Sequence, residues 1–249
     1  MAAGVRPAYG RAVMKAAPEL RSHRPGRETL GPGVSIPRHR HRGGYVAVVL
    51  SGGYQEAGLA GRFDVSAGDV VVHREFDAHL DHVRDRGAEI LNLPLPPGTK
   101  LPSAFRIADP DAIVRLAERD TVAAAMSLVP MSGVVPANDW PDELASDLNR
   151  DSGHRLRCWA HARNLAPETL SRRFRMAYGL TPAAFRAEAR AQRAFTLVCE
   201  SDASLASIAA DCGFADQPHL TRAIVRLTGH PPGFWRGSIP FKTRGHRTA

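Results

Sequence analysis

The chain has 249 residues, 33 Lys and Arg against 25 Asp and Glu, a formal charge of +8 and a pI near 10.1. That length suits two cores better than one, since domains cluster near ~100 to 150 residues. It is 43% hydrophobic, with no apolar run near the ~18 residues a spanning helix needs, so a globular chain with no membrane partner is expected, and the positive charge favours a polyanion.

The first thirty residues carry Arg6, Arg11, Lys15, Arg21, Arg24 and Arg27 with no apolar stretch behind them. They do not read as a secretory leader, and residues 1–30 are expected as a flexible arm. Cys158, Cys199 and Cys212 are odd in number and lack C-x-x-C spacing, which points to reduced thiols in a cytoplasm rather than a disulfide framework or zinc knuckle.

Short strands follow at Tyr45–Leu50, Arg62–Val65, Val70–His73, His79–Val83 and Glu89–Leu93. They are separated by the turn signals Gly43-Gly44, Ser51-Gly52-Gly53, Ala67-Gly68-Asp69 and Asp85-Arg86-Gly87. The spacing predicts a small antiparallel barrel or sandwich over residues 31–98, ended by Pro94, Pro96, Pro97 and Pro102 because proline cannot donate to a ladder. Within it, His39 and His41 are two apart on a strand and should share a face, as a metal site requires. Residues 99–137 are expected to connect: Asp109-Pro110 opens a helix reaching Val129, and Pro130–Asn138 is a linker.

From Asp139 the pattern is helical, with 16 Lys and Arg against 11 Asp and Glu. Proline and capping signals predict helices from Asp139, over Arg155–Arg163, Pro167–Tyr178, Thr181–Glu200, Ser204–Cys212 and Asp216–Thr228, with a last turn at Pro231 or Pro232. This half repeats itself. Leu170-Ser171-Arg172, Phe174, Gly179, Pro182, Phe185 and Arg186 recur 50 residues later as Leu220-Thr221-Arg222, Ile224, Gly229, Pro232, Trp235 and Arg236. Leu170 with Phe174, and Leu220 with Ile224, form apolar ridges four residues apart. Opposite them lie Glu168, Thr169, Ser171, Arg172 and Arg175 in one copy, and Gln217, His219, Arg222 and Arg226 in the other. Arginine suits guanine edges or phosphate, and glutamine suits adenine, as a helix in a major groove requires. The helix between the copies, ~27 Å long at ~1.5 Å per residue, nearly matches the ~34 Å of one DNA turn.

Residues Asp139 to Arg236, above all Ile208-Ala209, Gly213-Phe214, Asp216-Gln217, Arg222, Gly229, Pro232 and Trp235-Arg236, closely resemble the AraC/XylS family of bacterial transcription regulators. The resemblance implies a tandem helix-turn-helix domain over residues 138–238, followed by a basic tail, 239–249. It also implies that the first unit, through Glu168, Ser171 and Arg172, reads sequence most strongly. Pro218 and Ile224 depart from the family pattern, which has a small polar residue and Phe there. Pro37-Arg-His39-Arg-His41 with Gly68-Asp69 and His79 resembles the cupin pattern, whose family holds a metal with such histidines and a Glu; Tyr45 and Val46 stand where that Glu is expected. The resemblance implies an effector-sensing or dimerising amino-terminal domain.

The expectation is thus an α+β chain of two domains, a cupin-like β-barrel and an all-α tandem helix-turn-helix domain, acting as a transcription regulator and not an enzyme. Its expected partners are double-stranded DNA, a small-molecule effector, a second copy of the chain and, for an activator, RNA polymerase. The alternative is a metal-dependent cupin enzyme or metal sensor holding a divalent transition metal with His39, His41 and His79.

Overall fold

The computed structural model describes residues 19–21, 24–150 and 156–237. The basic tail, most of the expected arm and Arg155 lie outside these residues.

The amino-terminal half is one sheet, predominantly antiparallel, built on two long strands, β4 (Tyr45–Gly58) and β7 (Ala78–Pro94). Around them lie β1 (Glu19–Arg21), β2 (Gly26–Leu30), β3 (Ser35–His41), β5 (Gly61–Ser66), β6 (Asp69–His73) and β8 (Ala104–Arg106). Each long strand serves two neighbours: β4 pairs β6 along Tyr45–Val48 and β5 along Gly53–Gly58, while β7 pairs β3 along its first half and β2 along its second. The β4 and β7 ladder shifts register between Val49 and Ser51 and again between Gly52 and Tyr54, and such bulges bend a strand. Gly52 sits at the bend with φ +66°, where a Cβ would lie 2.0 Å from the Gly87 carbonyl oxygen. The expected turn at Ser51-Gly52-Gly53 is therefore a bend inside a continuous strand, and so is the one at Asp85-Arg86-Gly87. Among the described residues the pairings do not close into the expected barrel; the sheet is open, ordered β1-β3-β7-β4-β6-β8-β9, where β9 is Ser132–Gly133.

Gly26–Leu30, expected in the arm, is instead strand β2, held on β7 by its ladder, by Arg27–Glu89 (2.7 Å) and by Asn92 donating to Glu28 (3.0 Å). The expected Asp109–Val129 helix is two, α1 (Pro110–Ala117) and α2 (Thr121–Met126). Asp120 separates them by capping a new start, accepting from the amides of Val122 and Ala123 at 2.9 Å. Both pack on the sheet: Ile113, Val114, Ala124, Ala125 and Leu128 share a core with Val46, Val70, Leu93 and Phe105. The expected linker also joins the sheet, since β9 pairs β8 and the Ala137 amide donates to the Arg62 carbonyl at 2.7 Å.

The helical half comprises α3 (Trp140–Asn149), α4 (Leu156–His161), α5 (Pro167–Tyr178), α6 (Pro182–Glu200), α7 (Leu205–Asp211), α8 (Gln217–Thr228) and α9 (Pro232–Gly237). Helix α6 serves two cores. Its start packs Phe185 against Leu148, Trp159, Leu170, Phe174 and Tyr178, and its end packs Phe195 and Val198 against Ile208, Leu220, Ile224 and Leu227. No described helix is long and apolar enough to cross a membrane.

The two halves are joined through side chains. Ala57 and Leu80 enter the first helical core and Phe76 enters the second. Arg38 and Arg40, on one side of β3, both reach Glu188 of α6, at 2.6 and 3.5 Å. Arg62 of β5 bridges Asp139 (2.6 Å) and Asp142 (2.8 Å), the two carboxylates of the capping box that starts α3.

The duplicated glycines report on this junction. Gly179 and Gly229 end α5 and α8 in the same left-handed conformation, φ +74° and +84°. A Cβ on Gly229 meets nothing within 4 Å, whereas one on Gly179 meets Leu80 Cδ2 at 2.8 Å and Arg38 Cβ at 3.4 Å. Gly229→Ala should then cost only the left-handed penalty, about 1 to 2 kcal/mol. Gly179→Ala should cost about 1 kcal/mol more, because Leu80 must shift. Denaturant midpoints of the two variants check this; equal losses would mean that Leu80 moves freely.

Candidate functional site

The two repeated units superimpose their logic on the structure. In each, a short helix leads through a tight turn to a twelve-residue helix, α4 to α5 and α7 to α8. The ridges are buried as expected, with Leu170 and Phe174 in one copy and Leu220 and Ile224 in the other all at 2% exposure or less. The opposite face is open: Glu168, Ser171, Arg172 and Arg175 are exposed with Thr169 half-buried, and Gln217, His219, Arg222 and Arg226 are exposed. His219 also sets its ring edge-on to Phe214, 5.2 Å away.

The turns slip against each other by one residue. The left-handed position is Asn164 (φ +52°) in the first unit and Gly213 (φ +71°) in the second, a separation of 49 rather than 50. Asparagine tolerates that region better than most residues. Register is restored before the second helix. Asp216 caps α8 by accepting from the His219 amide at 2.6 Å, while Ala166 offers α5 no such cap.

A second site lies in the bent sheet. A cavity of about 500 Å³ is lined by residues of β2, β3, β4, β6 and β7. His39, His41 and His79, the three histidines expected as ligands, are brought together there, and all are buried. Their ring centroids lie 4.3 to 5.4 Å apart. Glu56, His73 and His79 form a second triad that shares His79, and within each triad the ligand atoms lie within 4.8 Å of one another. Burial first, then the neighbouring His73, His39 and His41, hold the His79 imidazole neutral by lowering its pKa well below the ordinary value. Burial first, then Asp81, raise the Glu56 carboxyl well above the usual carboxylate range. Tyr45, where the cupin pattern has Glu, stacks on His73 at 4.2 Å and walls the cavity.

Glu56 and His73 stand in the cavity although neither is among the expected ligands. Glu56 falls after the expected end of its strand at Leu50, but because β4 continues through Gly52, it lies in the strand and faces the cavity. For His73, the signal was its place in β6, six residues before His79. His82, by contrast, faces out of the cavity, where it hydrogen-bonds Ser35 Oγ at 2.8 Å.

The family model described as a helix-turn-helix domain matches residues 159–238. Residues 159–238 are an AraC-type helix-turn-helix domain. Such a domain supplies DNA binding and transcription regulation. No curated protein matches the chain. Among solved structures, the C-terminal domain of AraT, a response regulator from Geobacillus stearothermophilus, is similar at 18% identity over 43% of this chain and 92% of that one, with a TM-score of 0.39. ToxT from Vibrio cholerae with bound unsaturated fatty acid is similar at 10% identity over 86% and 95%, with a TM-score of 0.39. The DNA-binding domain of AdpA in complex with a target DNA is similar at 26% identity over 41% and 93%, with a TM-score of 0.37.

Both departures from the family pattern are accommodated in the AraC-type domain. Pro218 is the second residue of α8, where an amide has no intrahelical acceptor, so the helix loses no backbone bond. It does remove one amide that an anion at this helix start would otherwise meet. Ile224 is fully buried and fills the place of the aromatic Phe174 in the first copy.

Proposed function

We propose that the chain is a sequence-specific transcription regulator whose AraC-type domain reads DNA and whose sheet cavity receives the controlling signal. The observation that carries this reading is the duplicated pair of buried ridges backed by exposed polar faces on α5 and α8. Helix α5 is the principal reader, through Glu168, Ser171 and Arg172, with Thr169 and Arg175 beside them. Helix α8 contributes Gln217, His219, Arg222 and Arg226, and Pro218 lowers its share of phosphate contacts. Besides DNA, the partners in this reading are a small-molecule effector, a second copy of the chain and, for an activator, RNA polymerase.

Arg172→Ala tests the reading. Arg172 is exposed and in this reading makes a bidentate contact with a base edge, so its loss should cost about 1 to 3 kcal/mol on the selected site and much less on random DNA. Equal losses on both would make Arg172 a phosphate contact.

A second reading concerns the cavity itself, which we propose as a site for a divalent transition metal. The donors fit such an ion. Glu56 Oε2 and His79 Nδ1 are buried without a hydrogen-bond partner, burial favours the neutral, ligating form of the His79 imidazole, and a cation would favour the charged form of Glu56. His39, His41 and His79 would hold it, with Glu56 and His73 completing the set. When bound, the ion supplies a Lewis-acid anchor for an oxygen of the effector. A metal-dependent enzyme would use the same donors, while the recognition faces on α5 and α8 have no use in one.

A further inference from the structure

The cavity and the second recognition helix are linked by one short turn. Residues 74–77 connect β6 to β7, and the histidines next to this turn, His73 and His79, both stand in the cavity wall with ring centroids 4.3 Å apart. At its tip Phe76 leaves the sheet and is 1% exposed. Its ring meets Phe195 of α6 and Trp235 of α9 edge-on, each at 5.3 Å. Trp235 Nε1 in turn donates to Thr228 Oγ1, at the last residue of α8, at 2.8 Å.

The turn is fixed on both sides. The Phe76 amide donates to the carbonyl of His41 at 3.0 Å, and Arg40 Nε donates to the carbonyl of Phe76 at 2.8 Å. Gln192 of α6 donates to the carbonyl of Glu75 at 2.8 Å. Phe76 is also held at φ +62°, a left-handed conformation that a bulky side chain adopts only when its surroundings impose it. A displacement of His73 or His79 cannot be absorbed by slack in so short and so tethered a segment. It must move Phe76 against Trp235, and packed elements of this kind switch between discrete arrangements rather than deform smoothly.

We propose that the turn 74–77 is the coupling element of the protein: occupancy of the histidine cavity resets Phe76, and through Trp235 the seating of α8. This rests on the cavity being the signal site, and it names the means by which that site controls the domain.

The test labels the full chain with 5-fluorotryptophan and follows its three tryptophans, Trp140, Trp159 and Trp235, by fluorine NMR. Zinc ion alone is the probe. In the native sequence the Trp235 resonance should move on adding zinc, and should also move in His73→Gln without metal, while Trp140 and Trp159 stay. In Phe76→Ala the zinc response of Trp235 should be lost while zinc still binds. Phe76→Leu, which keeps the core filled, should lose most of that response and serves if the alanine variant does not fold. A Trp235 response in the Phe76 variants equal to the native one overturns the coupling. If native protein binds no zinc, the metal reading fails and His73→Gln decides alone: a Trp235 shift abolished by Phe76→Leu upholds the coupling to another ligand, and an unmoved Trp235 overturns it.

Discussion

Glu188→Ala should destabilise the protein by about 3 to 5 kcal/mol. Glu188 is the shared acceptor for Arg38 and Arg40, and the side chains of all three are 10% exposed or less. Burial lowers the Arg40 pKa, the nearby Arg38 lowers it further, and Glu188 opposes both. Removing the carboxylate leaves two buried guanidiniums facing each other with Asp77, near Arg40, as the remaining counter-charge, which is the costly way to break a buried pair. Arg38 keeps its bonds to the carbonyls of Ala57 and Tyr178, both 3.3 Å, and Arg40 its bond to the carbonyl of Phe76 at 2.8 Å, so neither arginine is wholly stranded. Glu188→Gln retains an acceptor and should lose less. Urea unfolding of the full chain measures both, and a loss below ~1 kcal/mol for the alanine variant would mean that water reaches the junction.

His79→Ala should abolish retention of a divalent transition metal. His79 is the only residue common to both donor triads, so its removal disables either coordination scheme. Changing a group that merely orients a ligand typically costs ~10 to 100-fold in metal affinity, and losing the ligand itself should exceed that. Protein purified without chelator should carry about one equivalent of metal in the native sequence. His82→Ala is the control, because His82 sits on the same strand but is exposed and bonded to Ser35. Metal lost equally from both variants would place the ion elsewhere, and none in the native protein would retire the metal reading.

The helical half was legible because its punctuation is local. Proline at a first helical turn and glycine at a left-handed cap act through one or two residues, so Pro167–Tyr178 and Thr181–Glu200 fell where the structure has α5 and α6. The 50-residue repeat made the ridge and face assignments mutually checking. The sheet half was less legible. Gly52-Gly53 suits a turn and a bulge equally well, and which one forms depends on Gly87 approaching from the facing strand. Glu56 was missed for that reason alone. Strand β2 has no apolar alternation to announce it and exists through its ladder to β7. The alternation Arg38-His39-Arg40-His41 held a further signal, since a strand polar on both faces needs two partners. Glu188 is 150 residues from Arg38, and only the assembled fold shows that one face meets it while the other lines the cavity.

If the two exposed helix faces read DNA sequence, a single ratio of affinities shows it. Fragments selected from random DNA by the full chain are titrated beside unselected DNA of equal length at physiological salt. Sequence-specific regulators bind their sites ~10³ to 10⁷ times more tightly than other DNA, and a ratio of at least ~10³ is expected here. The +8 chain will bind any DNA through phosphate neutralisation alone, so affinity by itself decides nothing. A ratio within ~10-fold, with no motif shared by the selected fragments, would mean that α5 and α8 do not read sequence.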